Sequence, residues 1–321
     1  MVDYLKKVHI NETNQYLPSE YVFIGCASFE NRCRTLSTVV DITHIRKTYI
    51  IRNIDSGMNM HNEDHFQSIC NQLSDSIALE LHFENPLGVL EGLQKVIQEL
   101  ITSQEKSLVV DISTFTHEVL LIFLKILHIN RNYFESIFLI YNGAKKYEPW
   151  LSKGCKEVRN VIGYPGSFNP AQKYHLVVLT GFEWERATRL VELLEPDVLS
   201  IGIGKDPTNL NHQETMTSFE NDFKNWMENL QGVRHNQFTF SCSEITSTIS
   251  SLQEILTRSP LDNFIFVPLN TKLSTISTAL VALDNSRVQV CYPIPEVYNI
   301  SYSEPSDNVS IIDFLEIDKL S

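Results

Sequence analysis

Short apolar runs of strand length alternate with longer segments of helical period along nearly the whole chain, and this alternation restricts the fold more than any other feature. Strands are expected over 21–26 ("YVFIGC"), 48–53, 77–83, 107–112 and 136–141, with helices from Glu30, over 63–73, 86–101 and 116–129 between them. After a Gly/Pro-rich connector, "GYPGSFNPAQ", the order restarts: strands over 175–180 ("HLVVLT"), 198–203, 237–242, 263–269 and 287–292, and helices from Glu183, over 218–230, 243–258 and 273–283. Strands this apolar are the kind buried on both faces, so the expectation is an α/β protein with mostly parallel sheets flanked by helices.

The two halves also match in particular residues. "FENRCRTL" begins at Phe29 and "FEWERATRL" at Phe182, each just after a strand; Arg32 and Arg186 lie 154 positions apart, as do Leu36 and Leu190. The fourth strands align at Thr114 in "DISTFTH" with Thr271 in "PLNTKLS", and the fifth as Tyr141-x5-Tyr147 with Tyr292-x5-Tyr298. Three matches in the same order read as an internal duplication of a Rossmann-like unit, roughly 18–160 and 172–300. The expected domains are 1–165, and 166–321 with a C-terminal tail, whose apolar "IIDFL" either packs back on the body or docks a partner.

With 321 residues, 43% of them hydrophobic, the chain can bury a core, and 39 acidic against 26 basic residues (net charge -13) argue against a broad nucleic-acid surface. The six cysteines are scattered, without a C-x-x-C pair or a His cluster of zinc spacing, and read as small buried hydrophobes in a reducing compartment. The first twenty residues lack the apolar core of a signal peptide, and "VLLIFLKIL" is too short to span a bilayer. A cytoplasmic protein without a membrane anchor, resident metal or cofactor is expected. No H-E-x-x-H, G-x-S-x-G or Walker A sequence occurs.

In an open parallel sheet, ligands bind beyond the carboxyl ends of the strands. The residues falling there are Ser28, Glu30 and Arg32, then Asp111, Ser113, Thr114, Thr116 and His117 in the first half; Glu183, Arg186 and Lys205, then Asn270, Thr271 and Lys272 in the second. Their hydroxyls, amides and cations suit phosphate or sugar recognition. The same Ser, Thr and Asp residues are also ordinary helix N-caps, and Glu with Arg at a helix start also forms a structural ion pair, so both roles stay open. "SIGIGKDP" reads as a strand-to-loop turn with Lys205 and Asp206 as ligand contacts. His61 and His65 in "HNEDH" have the spacing of a metal pair or of a solvated helix start. His117 is the general-base candidate if there is catalysis.

The fourth strand and its turn, "VVDISTFTHEVL", resemble the Asp-(Leu/Ile)-Thr-Gly-Gly-Thr-Lys signature of CARF domains, and the duplicated form resembles SAVED domains, which are fused pairs of such units. Asp111, Ser113 and Thr116 match in character; Thr114 and Phe115 replace the glycines, His117 replaces the Lys, and Pro268 stands where the second copy would have Asp. The resemblance implies a nucleotide-type ligand held between paired Rossmann-like units, and a signal passed to a partner effector protein or complex in prokaryotic antiviral defence. Two other readings stand beside it. One is an enzyme acting on a nucleotide with Asp111, His117 or Glu30 as acid or base, and the other is a scaffold subunit that binds nothing small.

Overall fold

The structure is a computed structural model describing residues 4–54, 62–73, 75–148, 150–181, 184–205, 221, 225–228, 230, 232–301 and 303–320. It divides into two compact units, Met1–Lys146 with Ser303–Leu320, and Tyr147–Tyr302. In chain order the first unit contributes β1 (Leu5–His9), β2 (Tyr21–Ala27), β3 (Ile45–Asn53), α1 (Asn62–Gln72), β4 (Ser76–Leu81), α2 (Pro86–Thr102), β5 (Ser107–Asp111), α3 (His117–Asn130), β6 (Ser136–Tyr141) and β7 (Ala144–Tyr147). The second contributes β8 (Ser152–Lys153), β9 (Glu157–Pro165), β10 (Tyr174–Leu179), α4 (Trp184–Leu194), β11 (Val198–Lys205), β12 (Arg234–Ser241), α5 (Ile245–Arg258), β13 (Asn263–Pro268), α6 (Lys272–Asp284), β14 (Val288–Ile294) and β15 (Val297–Tyr298). The chain then returns to the first unit as β16 (Ser303–Pro305), β17 (Asn308–Asp313) and α7 (Phe314–Asp318).

The first sheet runs β1-β17-β6-β5-β2-β3-β4, and β6-β5-β2-β3-β4 are parallel. The second runs β12-β11-β10-β13-β14-β9, parallel except for β9. Counting the parallel strands by their order in each unit, both sheets read 3-2-1-4-5, with an antiparallel strand laid beside the fifth. The first strands lie at the centres, which is why every residue of β2 and all of β10 but its first are buried.

Helices cover both faces. α2 starts where Asn85 accepts the Gly88 amide with Pro86 behind it, and it buries Val89, Leu93, Val96, Ile97 and Leu100, an i, i+4, i+7 stripe. In the second unit, Leu176, Val178, Leu199, Ile201, Ile265 and Val267 meet Ala187, Leu190 and Val191 of α4. Each such side chain contributes about 1.5–3 kcal/mol when fully buried. All six cysteines are thiols, and burial pushes those of Cys33 and Cys291 up to about 12, which makes them inert packing groups at neutral pH. No helix among the described residues is long and apolar enough to cross a membrane.

Three expectations need correction. The boundary at 165/166 fails at both ends. β9 belongs to the second unit because it pairs with β14, while the tail belongs to the first because β17 lies between β1 and β6, with Ile311, Ile312 and Phe314 buried. The expected helix from Glu30 is a chain of 3-10 turns, Asn31–Arg34, Leu36–Thr38 and Ile42–His44. Ser37 and Thr38 donate their hydroxyls to the carbonyls of Arg34 and Thr35, so side chains compete for the acceptors a longer helix would use. Finally, the match of Thr114 with Thr271 is out of step by two residues: α3 begins where it was expected, and the N-caps are Thr116 and Thr271, which accept the amides of Val119 and Ser274.

Candidate functional site

In the first unit the chain leaves β2 at Ala27 and turns across the strand ends. Arg32, 3% exposed, donates from Nε (2.8 Å) and Nη2 to Glu30 Oε2, and from Nη1 to the Asn142 carbonyl oxygen at 2.9 Å. Ser303 Oγ donates to the same Glu30 oxygen at 2.9 Å. The Ser28 carbonyl accepts the Cys33 thiol and lies 2.6 Å from His65 Nδ1. That contact requires the proton on Nδ1 and leaves the ring's lone pair on Nε2.

At the β5 exit, Asp111 Oδ1 accepts the Ser113 amide (2.9 Å), Ser113 Oγ accepts the Asn142 amide (2.8 Å), and Thr114 Oγ1 donates to the Cys26 carbonyl (2.9 Å). Asp111 is 3% exposed. Desolvation pushes its carboxyl up to about 6, against the smaller downward pull of the Ser113 hydrogen bonds and the Arg32 charge. Thr116 and His117, the cap and first residue of α3, are half-buried. Asn142 is the hub that sequence reasoning missed. Besides serving Arg32 and Ser113, its Nδ2 donates to the carbonyls of Ser306 and Asn308. "YNG" after a strand signals a turn, and nothing in it announces these long-range partners.

The second unit repeats part of this with different chemistry. Arg186, 4% exposed, donates from Nη2 to the Pro293 carbonyl and from Nη1 to Ser152 Oγ at 3.2 Å, with its guanidinium over the Tyr292 ring. Each arginine thus bonds the carbonyl one residue past the tyrosine of its fifth parallel strand, Tyr141 or Tyr292. Asn270 Nδ2 donates to the Thr180 carbonyl at 2.7 Å, and Cys26, which Thr114 serves, lies 154 positions before Thr180. The β13 exit passes so close to Gly181 that a Cβ there would overlap the Leu269 carbonyl oxygen. Thr271 Oγ1 donates to the Cys242 carbonyl at 3.1 Å. Lys205 closes β11 with its side chain exposed, and Asn270, Thr271 and Lys272 are half-buried.

In the first unit's rim Ser28, Glu30, Arg32, Asp111, Ser113 and Thr114 are buried and bonded, and Thr116 and His117 are half-buried; in the second unit's rim Lys205 is exposed, and Asn270, Thr271 and Lys272 are half-buried, Asn270 and Thr271 being bonded within their unit. Glu183, Asp206 and His61 lie outside the described residues. "SIGIGKDP" places its glycines inside β11 rather than in a turn, and a Cβ at Gly204 would meet Cys242 Sγ. Among the described residues no group of three or more His, Cys, Asp or Glu has the geometry to hold a metal.

A third polar row crosses the second sheet. Asp262 Oδ2 stands 3.3 Å from His175 Nδ1, His175 Nε2 stands 2.7 Å from Ser200 Oγ, and Ser200 Oγ donates to Asn236 Oδ1 at 2.9 Å. The order of side chains is that of a nucleophile triad, but Ser200 donates its proton to Asn236 rather than to His175 and is 0% exposed, so it has no access to substrate. Burial lowers the His175 pKa more than Asp262 raises it, which keeps the ring neutral at pH 7.

Neither a protein-family model nor a curated protein matches the chain.

Proposed function

We propose that the protein binds a nucleotide-type ligand at the carboxyl-end rim of the second unit's sheet and passes its bound state to a partner protein. The observation that carries this reading is the set Lys205, Asn270, Thr271 and Lys272. These two cations, an amide and a hydroxyl keep accessible surface around the β10/β13 boundary, where the strand order reverses and open parallel sheets take their ligands. Cations gathered there in a chain of net charge -13 suit a phosphate-bearing molecule.

In this reading the chain is a tandem of Rossmann-like units descended from one duplicated ancestor. Support comes from the shared 3-2-1-4-5 order, the two arginines bonded one residue past the fifth-strand tyrosines, and the matching clasps of Thr114 and Asn270 on the first-strand carbonyls. The first unit's rim has become a tie, because its polar groups are spent on one another. The likeness of "VVDISTFTHEVL" to CARF domains favours a sensor in prokaryotic antiviral defence, with the output carried by an effector partner.

The test is thermal shift with equilibrium dialysis against mononucleotides, cyclic dinucleotides and short oligonucleotides, on the wild type and on K205A/K272A. A ligand at 100 times its Kd stabilises by about 2.7 kcal/mol, and the double variant loses that shift while keeping its own Tm. If every ligand that binds the wild type binds K205A/K272A equally well, the site is rejected. No binding across the panel rejects the function, and turnover of a nucleotide favours the enzyme reading instead.

A further inference from the structure

The first unit holds a cleft of about 380 Å³ between its 3-10 turns and α1. Asn31, Arg34, Thr35 and Thr38 line it from the turns, and Ser68 and Gln72, four apart on one face of α1, line it from the helix. Pro305 completes the wall. The lining contains a guanidinium and five neutral polar side chains but no carboxylate, in a chain where acidic residues outnumber basic ones by 39 to 26.

The hydrogen bonding of these groups is unfinished. Arg34 Nη2 donates to Asn31 Oδ1 at 3.2 Å, a neutral acceptor, and the guanidinium makes no ion pair among the described residues. Its Nε–H is buried and has no hydrogen-bond partner. A buried cationic donor left unmet is costly, so a small turn of the guanidinium toward an anion in the cleft is downhill. The single Ser37 hydroxyl hydrogen is shared between the Arg34 carbonyl at 2.8 Å and Gln72 Oε1 at 2.6 Å, and the Gln72 Nε2 hydrogens are donors for a further acceptor.

We infer that this cleft binds the phosphoryl group of a small phosphate-bearing molecule. Arg34 offers Nε and Nη side-on to two oxygens, while Ser68 and Gln72 Nε2 offer donors from the helix side to a third. A tetrahedral phosphate uses both sides, whereas a carboxylate satisfies only the arginine fork. The volume lies in the range of small-molecule sites, so a phosphomonoester fits as well as the inorganic ion. The cleft rests on the first unit's geometry alone and stands apart from the rim proposed above for the second.

The experiment is calorimetric titration at constant ionic strength with inorganic phosphate, adenosine monophosphate, adenosine and acetate, on the full chain and on R34Q, S68A and K205A/K272A. Saturable phosphate binding is expected, weakened about 10-fold or more by R34Q and severalfold by S68A, and untouched by K205A/K272A. The part of adenosine monophosphate binding that R34Q removes is expected to be absent with adenosine. The inference is overturned if wild type shows no saturable phosphate binding, if acetate binds as tightly as phosphate, or if R34Q leaves the phosphate affinity unchanged. Should R34Q fail to fold, R34K decides. A loss of about 10-fold supports the fork, because lysine keeps the charge without the paired donors, and retained affinity overturns it.

Discussion

Asp111→Asn isolates the cost of keeping a carboxylate inside the first unit. The Asp111 pKa rises from 3.8 to about 6, roughly two pH units or about 3 kcal/mol. Because the folded-state value lies above the unfolded one, the protonated acid's favourable contribution is complete below about pH 3.8 and is lost as pH climbs through 6. Asn has the same shape, keeps an Oδ1 for the Ser113 amide, and does not titrate. The unfolding free energy of D111N minus that of wild type is therefore expected to move by about 2.5 kcal/mol in favour of the variant between pH 4 and pH 8.

The probe must report on the correct unit. Trp150, Trp184 and Trp226 all fall within Tyr147–Tyr302, so tryptophan fluorescence follows the other unit. Hydrogen exchange of peptides covering β2 and β5, followed in urea at each pH, reads the first unit directly. Parallel pH profiles for wild type and D111N would refute the reasoning, since the desolvation cost would then be absent.

Arg32 can be tested in a similar experiment. R32M leaves Glu30 as a buried charge without its cation and is expected to cost about 3–5 kcal/mol. Urea unfolding of the first unit measures it, and unchanged stability would contradict the ion pair with Glu30. For His175, a depressed pKa means stability that is present above the unfolded value near 6.5 and lost as pH falls through the lower folded one. Tryptophan-monitored stability of wild type should thus drop on acidification more steeply than that of H175Q, and equal slopes would remove His175 as the cause. Deleting residues 303–320 should unfold the first unit, read as loss of exchange protection in β6, while the second keeps its tryptophan signal.

Much of the architecture was legible because parallel strands buried on both faces print as plain apolar runs. All ten strands expected in the two halves are present, from β2 to β14. The added antiparallel strands were not legible. "NVSIID" was seen as apolar, but its place between β1 and β6 depends on pairings about 170 and 300 residues away. At the rims, Arg32 and Arg186 were visible at matching positions, yet the carbonyls of Asn142 and Pro293 that they bond are backbone groups, which no sequence pattern marks. Asn142 was equally hidden, since it is chosen by the returning C-terminal segment, and His65, expected in a metal pair or a solvated helix start, is instead buried against the Ser28 carbonyl. The turns after Glu30 misled because the apolar residues there keep a helical spacing while the hydroxyls of Ser37 and Thr38 take backbone carbonyls and pull the chain into tighter turns.

The pairing of β1 with β17 has a consequence for biosynthesis. During translation the N-terminal strand emerges about 300 residues before the strand that must hold it, and the whole second unit is made in the interval. The second unit is contiguous and can close while the ribosome is still working, whereas the first can finish only once β17 has emerged, with β6 offering an open edge until then. Any ribosome pause or premature stop between β15 and β17 would leave a native second unit and a first unit whose β1 is waiting for its partner.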